Sequence, residues 1–117
     1  MKLVVDPRHW LDEHGNIPLE PARLRRNMLR IARIIEYGGP LKPDTMLETL
    51  IECSRKPKRK QCPGLLWVEK MPNNAIAAHC PVCKQEEIYV HDWETTEWAD
   101  GPMEPVPVEV PVDRSVN

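Results

Sequence analysis

Apolar residues recur with a helical period in the first third of the chain. Leu24, Met28, Ile31 and Ile35 fall at i, i+4, i+7 and i+11, a spacing that lines one face of an α-helix. Pro18 and Pro21 bracket its start, Glu20 suits the positive end of the helix dipole, and Gly38-Gly39-Pro40 stops it. A helix is therefore predicted over about residues 21–37. Beside the apolar stripe runs a second one, Arg23, Arg26, Arg30 and Arg33 at i, i+3, i+7 and i+10. Such a row is ordinarily a solvated helix face, and a phosphate-binding ridge is the alternative.

Elsewhere the pattern shortens to that of strands. Residues 3–11 read as a short strand followed by a turn at Glu13-His14-Gly15-Asn16. Residues 46–52 are ambiguous, because Thr45 and Glu48 have capping-box spacing. A strand is favoured there, since Ile51 leads directly to Cys53. Leu65-Leu66-Trp67-Val68 opens after Pro63-Gly64 as a strand, with Trp67 expected in the core. Pro72-Asn73-Asn74 turns the chain, residues 75–80 return antiparallel, and Ile88-Tyr89-Val90 form a last strand that ends near Trp93. The expected fold is α+β, with an N-terminal strand and one amphipathic helix packed on a small antiparallel β meander.

Composition limits what such a fold can do. The chain has 117 residues, 13 of them proline and none phenylalanine, so its core is thin and a covalent or metal clip is expected. One domain is expected over residues 1–101. A Pro- and Val-rich acidic tail, 102–117, reads as flexible or polyproline-like, with edge-strand docking as the alternative. No apolar run is long enough for a secretory signal or a membrane span. A reducing cytoplasm is the resulting expectation, and there paired cysteines are metal ligands more often than disulfides. The net charge of −2 hides an asymmetry: residues 1–83 hold 14 basic and 9 acidic side chains, and residues 84–117 hold 2 and 9. The acidic end keeps a small protein soluble or folds back over the basic body.

The four cysteines carry the chemistry. Their spacing is Cys53-x8-Cys62-x17-Cys80-x2-Cys83. Zn²⁺ takes four thiolates tetrahedrally, and the Cys80-Pro81-Val82-Cys83 turn can offer two sulfurs to one ion. The longer loop between Cys53 and Cys62 can do the same if it forms a hairpin-like excursion, with the intervening hairpin bringing the two pairs together. A structural zinc on Cys53, Cys62, Cys80 and Cys83 is the leading reading. Iron on the same thiolates, two disulfides, a redox-active Cys80–Cys83 pair and unligated thiols remain alternatives. His79, beside Cys80, is expected on the opposite strand face. His9, His14 and His91 read as surface residues. No serine elbow, phosphate-binding glycine loop or pair of catalytic carboxylates is present, so a non-catalytic protein is expected.

The Cys80-Pro81-Val82-Cys83 turn, preceded by a hairpin and a second cysteine pair, resembles the zinc-ribbon class over about residues 46–93. Lys84 stands where such knuckles commonly carry glycine. The whole chain is also similar to a group of small bacterial proteins through Val5-Asp6-Pro7-Arg8-His9-Trp10, Tyr37-Gly38-Gly39-Pro40, Cys62-Pro63-Gly64 and Glu94-Thr95-Thr96-Glu97-Trp98. That likeness implies no activity. Zinc ribbons serve both nucleic-acid machinery and protein assemblies.

The loop between the first two cysteines holds Arg55, Lys56, Lys58, Arg59 and Lys60, five charges in six positions. Their self-repulsion would be relieved by phosphates. A module contacting nucleic acid through these residues is the leading function, with Trp67, Trp93 and Trp98 as candidate stacking residues. A protein-interaction adaptor using the Pro/Val tail and a thiol redox switch that ejects its metal are the rivals. No small-molecule substrate and no membrane partner are evident from the sequence.

Overall fold

The computed structural model describes residues 2–14, 16–101 and 110–111. Strand β1 is Lys2–Val5, helix α1 is Ala22–Gly38, and strands β2 to β6 are Thr45–Glu52, Leu65–Lys70, Ile76–His79, Glu87–Val90 and Val110–Pro111. The architecture is α+β, with α1 against a mixed sheet of order β1-β5-β4-β3-β2-β6. Strands β2 to β5 are antiparallel to their chain neighbours, whereas β1 lies parallel to β5 with Val5 opposite Val90. Val110 and Pro111 pair with Met46 and Thr45 on the β2 edge. The edge-strand alternative for the tail thus applies at these two positions, and the rest of 102–117 lies outside the described residues.

The first strand is shorter than the sequence pattern suggests. It ends at Val5 because Asp6 caps a 3-10 turn, Pro7–His9, by accepting from the Arg8 backbone N–H at 3.0 Å. Proline supplies the fixed φ for such a turn and no donor for a ladder. The helix matches its expected span. Its buried side runs from Met28 through Ile31, Ala32, Ile34 and Ile35 to Gly38, while Leu24 is only half-buried. That side rests on Leu47, Ile51, Leu66, Val68, Ile76 and Val90, which alternate along the strands as period-2 burial requires. Gly38 sets the closest approach: a Cβ there would lie 2.5 Å from Ile76 Cγ2.

Two side chains depart from a simple apolar layer. Lys70 ends β3 on the helix side and is 2 % exposed. Its Nζ donates to Gly39 O at 2.9 Å and Leu41 O at 3.2 Å and stands 4.3 Å from the Trp93 ring centroid. It thereby satisfies carbonyls at the helix C-terminus, and burial lowers its pKa. Trp67 corrects the expectation of a core tryptophan. It alternates with buried Leu66 and Val68, so it lies half-buried on the sheet face away from α1. Trp93 occupies the core instead, 5 % exposed, with Nε1 donating to Asn74 O at 2.8 Å.

The face carrying Trp67 places it beside His79, which in turn neighbours Glu87, while Glu69, Ala77, Tyr89 and Val4 form the adjacent row. No helix among the described residues is long and apolar enough to cross a membrane.

Candidate metal centre

The four cysteines converge. Cys53 follows β2, Cys62 precedes β3, and Cys80 and Cys83 occupy the turn between β4 and β5. Their sulfurs all lie within 4.8 Å of one another, with Cys53–Cys83 at 3.6 Å and Cys62–Cys80 at 3.7 Å. A disulfide would bring two sulfurs to about 2.05 Å. A tetrahedron built on Zn–S bonds of about 2.3 Å has edges of about 3.8 Å. The spacing therefore matches four thiolates around one ion and not two crosslinks. Cys53, Cys62 and Cys80 are buried, and Cys83 is half-buried.

Backbone geometry explains the convergence. The N–H two residues ahead points back at the sulfur in three of the four cases: Arg55 N to Cys53 and Gly64 N to Cys62, both at 3.4 Å, and Gln85 N to Cys83 at 3.5 Å. The 53–62 loop is the hairpin-like excursion its spacing requires, closed by Cys53 N to Gly64 O and Cys62 N to Arg55 O, each 3.0 Å. Gly64 has to be glycine for steric reasons, because a Cβ would lie 2.7 Å from Cys80 Sγ. Lys84, which departs from the glycine usual after such a turn, adopts the left-handed backbone all the same, at φ 60°.

The thiols are not equivalent. Burial pushes Cys53 up to about 12. The Gln85 N–H brings Cys83 down to about 7. At Cys62 the Gly64 N–H lowers the pKa, yet burial and the Cys80 thiol leave it raised. A dication reverses the cost of packing such thiols together by holding them as thiolates. The donor set thus fits a soft or borderline metal, and four sulfurs fill a tetrahedral shell with no position left for substrate. No histidine belongs to the cluster. His79 faces the other way on the sheet, and His9 and His14 are largely exposed.

The basic loop divides in two. Lys56, Lys58, Arg59 and Lys60 are exposed around a 3-10 turn, Pro57–Arg59, in which Lys58 and Arg59 have φ of 54° and 66°. Arg55 instead turns inward, its Nε 3.1 Å from Glu86 Oε2. Glu86 is 2 % exposed; it also accepts from Ser54 Oγ at 2.7 Å and from Arg30. Arg30 reaches Glu52 O at 2.9 Å as well. So one member of the helical arginine row is tied to Glu86 and to the end of β2 instead of being solvated. Glu86 has no counterpart in the sequence expectations. The available signal was alternation, since Glu86, Ile88 and Val90 share one face.

Comparison with family models, with curated proteins and with solved structures finds no match.

Proposed function

We propose that the chain is a non-catalytic, zinc-stabilised binding module that contacts nucleic acid through the exposed part of its Cys53–Cys62 loop. The observation that carries this reading is the convergence of four sulfurs within 4.8 Å of one another, with two of the pairs at 3.6 Å and 3.7 Å. A closed thiolate shell stabilises a fold and leaves no site for a bound water. Two cysteine-bearing turns gripping one ion, joined by the β3–β4 hairpin, support the zinc-ribbon likeness. Ferrous iron is the competing occupant, and elemental analysis of protein purified without added metal separates the two. Reduced thiols of this kind suit a cytoplasmic setting.

The nucleic-acid part rests on Lys56, Lys58, Arg59 and Lys60, four neighbouring exposed cations. Arg55 is excluded from the contact set by its place beside Glu86. The sheet face with Trp67 and Tyr89 is a poor platform for bases, because Glu48, Glu69 and Glu87 stand on it and repel phosphates. Contacts would be to phosphates and weakly sequence-specific.

Fluorescence anisotropy with a labelled single-stranded oligonucleotide over a salt series tests the reading. Replacing the four cations together by Gln should weaken binding at least about tenfold and flatten the log–log salt slope by about 3. Trp67→Ala should leave it unchanged. Unaltered affinity in the fourfold variant ends the nucleic-acid reading and leaves the metal site intact.

A further inference from the structure

A cavity of about 390 Å³ lies between α1, the start of β1 and the metal loop, within the range of about 300–1,000 Å³ common for small-molecule sites. Its charged lining is Arg23, Arg30 and Arg55 against one carboxylate, Glu86. Glu86 is already engaged with Arg30, Arg55 and Ser54 at its buried end. It fixes those two guanidiniums at the wall and neutralises one charge, which leaves an excess of two positive charges around a partly open cleft. Arg23 and Asn27 stand on the same helix side as Arg30, seven and three residues before it. Their side chains make no hydrogen bond or ion pair among the described residues, although both line the cavity. Trp10 also lines the cavity and is half-buried.

We propose that this cavity is a binding site for a small phosphate monoester carrying a flat group. Two excess positive charges match a phosphate dianion. Arg23, Arg30 and Asn27 offer the planar N–H groups that suit its oxygens. The Trp10 indole offers an apolar wall for the flat part. The site is independent of the nucleic-acid reading, because none of Lys56, Lys58, Arg59 or Lys60 lines it.

The probe is 5′-AMP, titrated by calorimetry and by tryptophan fluorescence into the metal-loaded full chain, with adenosine and inorganic phosphate in parallel. Saturable one-to-one binding of 5′-AMP is expected, with inorganic phosphate competing and adenosine at least about tenfold weaker. Arg23→Glu reverses a charge on an exposed helix position, so the fold should survive it. It should weaken 5′-AMP at least about tenfold, or ~1.4 kcal/mol. Arg26→Glu makes the same charge change on the same helix outside the cavity and should alter affinity by no more than about twofold. Trp10→Phe should remove the fluorescence change. The proposal is overturned by adenosine binding as tightly as 5′-AMP or by Arg26→Glu doing the same damage as Arg23→Glu. It is equally overturned by a fluorescence change that survives Trp10→Phe, or by no binding at about 5 mM 5′-AMP. Because the fourfold loop variant should bind 5′-AMP normally, either reading can fail alone.

Discussion

Between exposed Gln85 and half-buried Glu87, the Glu86 side chain is withdrawn from solvent and holds the guanidiniums of Arg30 and Arg55 together with the Ser54 hydroxyl. Removing one partner of a buried ion pair strands the others, at a cost of about 3–5 kcal/mol. Arg30 and Arg55 keep 23 % and 31 % of their side-chain exposure, so Glu86→Gln should fall near the low end, as read from urea unfolding. Asp6 is a second residue whose neighbour defines it. The Arg8 guanidinium, donating at 2.7 Å and 3.0 Å, holds its carboxyl down to about 2. A carboxyl lowered on folding stabilises the fold above its unfolded value and loses that contribution as pH falls toward 2. In Arg8→Gln, carbon NMR should find Asp6 titrating near its ordinary value of 3.8, with the acid unfolding limb shallower below pH 4. Neither pairing was legible in the sequence as chemistry, because Glu86 sits in a run of similar polar residues and meets Arg30 only across the fold. The four cysteines were legible, since their residue type and spacing already restrict what they can do.

Among the elements, α1 was readable because its apolar period is local and its end is marked by two glycines. β1 was overextended, since alternation alone does not reveal that Asp6 caps a new turn. Trp67 was assigned to the wrong side because an apolar run does not say which of its alternate residues face the helix. At Gly38 the α1 backbone comes close to Ile76. Gly38→Ala should push its Cβ against Ile76 and cost about 1–3 kcal/mol, measured by thermal unfolding. Ile76→Leu in the same chain, which lacks the Cγ2 branch methyl, should recover part of that loss. At the same end of the helix, Lys70→Ala would leave the Gly39 and Leu41 carbonyls without their donor, for about 1–3 kcal/mol. Lys70→Arg is not a neutral control, because its longer planar head has to fit the space over Trp93.

On the proposed reading, in which the four cysteines hold zinc, the balance of energies for the whole molecule turns on the metal. A domain of this size is stable by about 5–15 kcal/mol, and a structural zinc contributes an apparent 10–16 kcal/mol or so. Loss of the ion should therefore remove the cooperative transition rather than lower it by a few degrees. Cys62→Ser, or chelation of the native protein, is expected to give a broad, non-cooperative melt by circular dichroism, and restored zinc should reverse the chelation effect. A sharp transition persisting in metal-free, reduced protein would contradict this.

The parallel seat of β1 beside β5 bears on how the molecule is made. Val5 O accepts from His91 N at 2.9 Å, so β1, at Lys2–Val5, is synthesised long before β5, at Glu87–Val90, the strand it pairs with among the described residues. Until then Leu3, Val4 and Val5 form an uncovered apolar edge on the nascent chain. Chains cut short before residue 87 should retain that sticky end and associate through it.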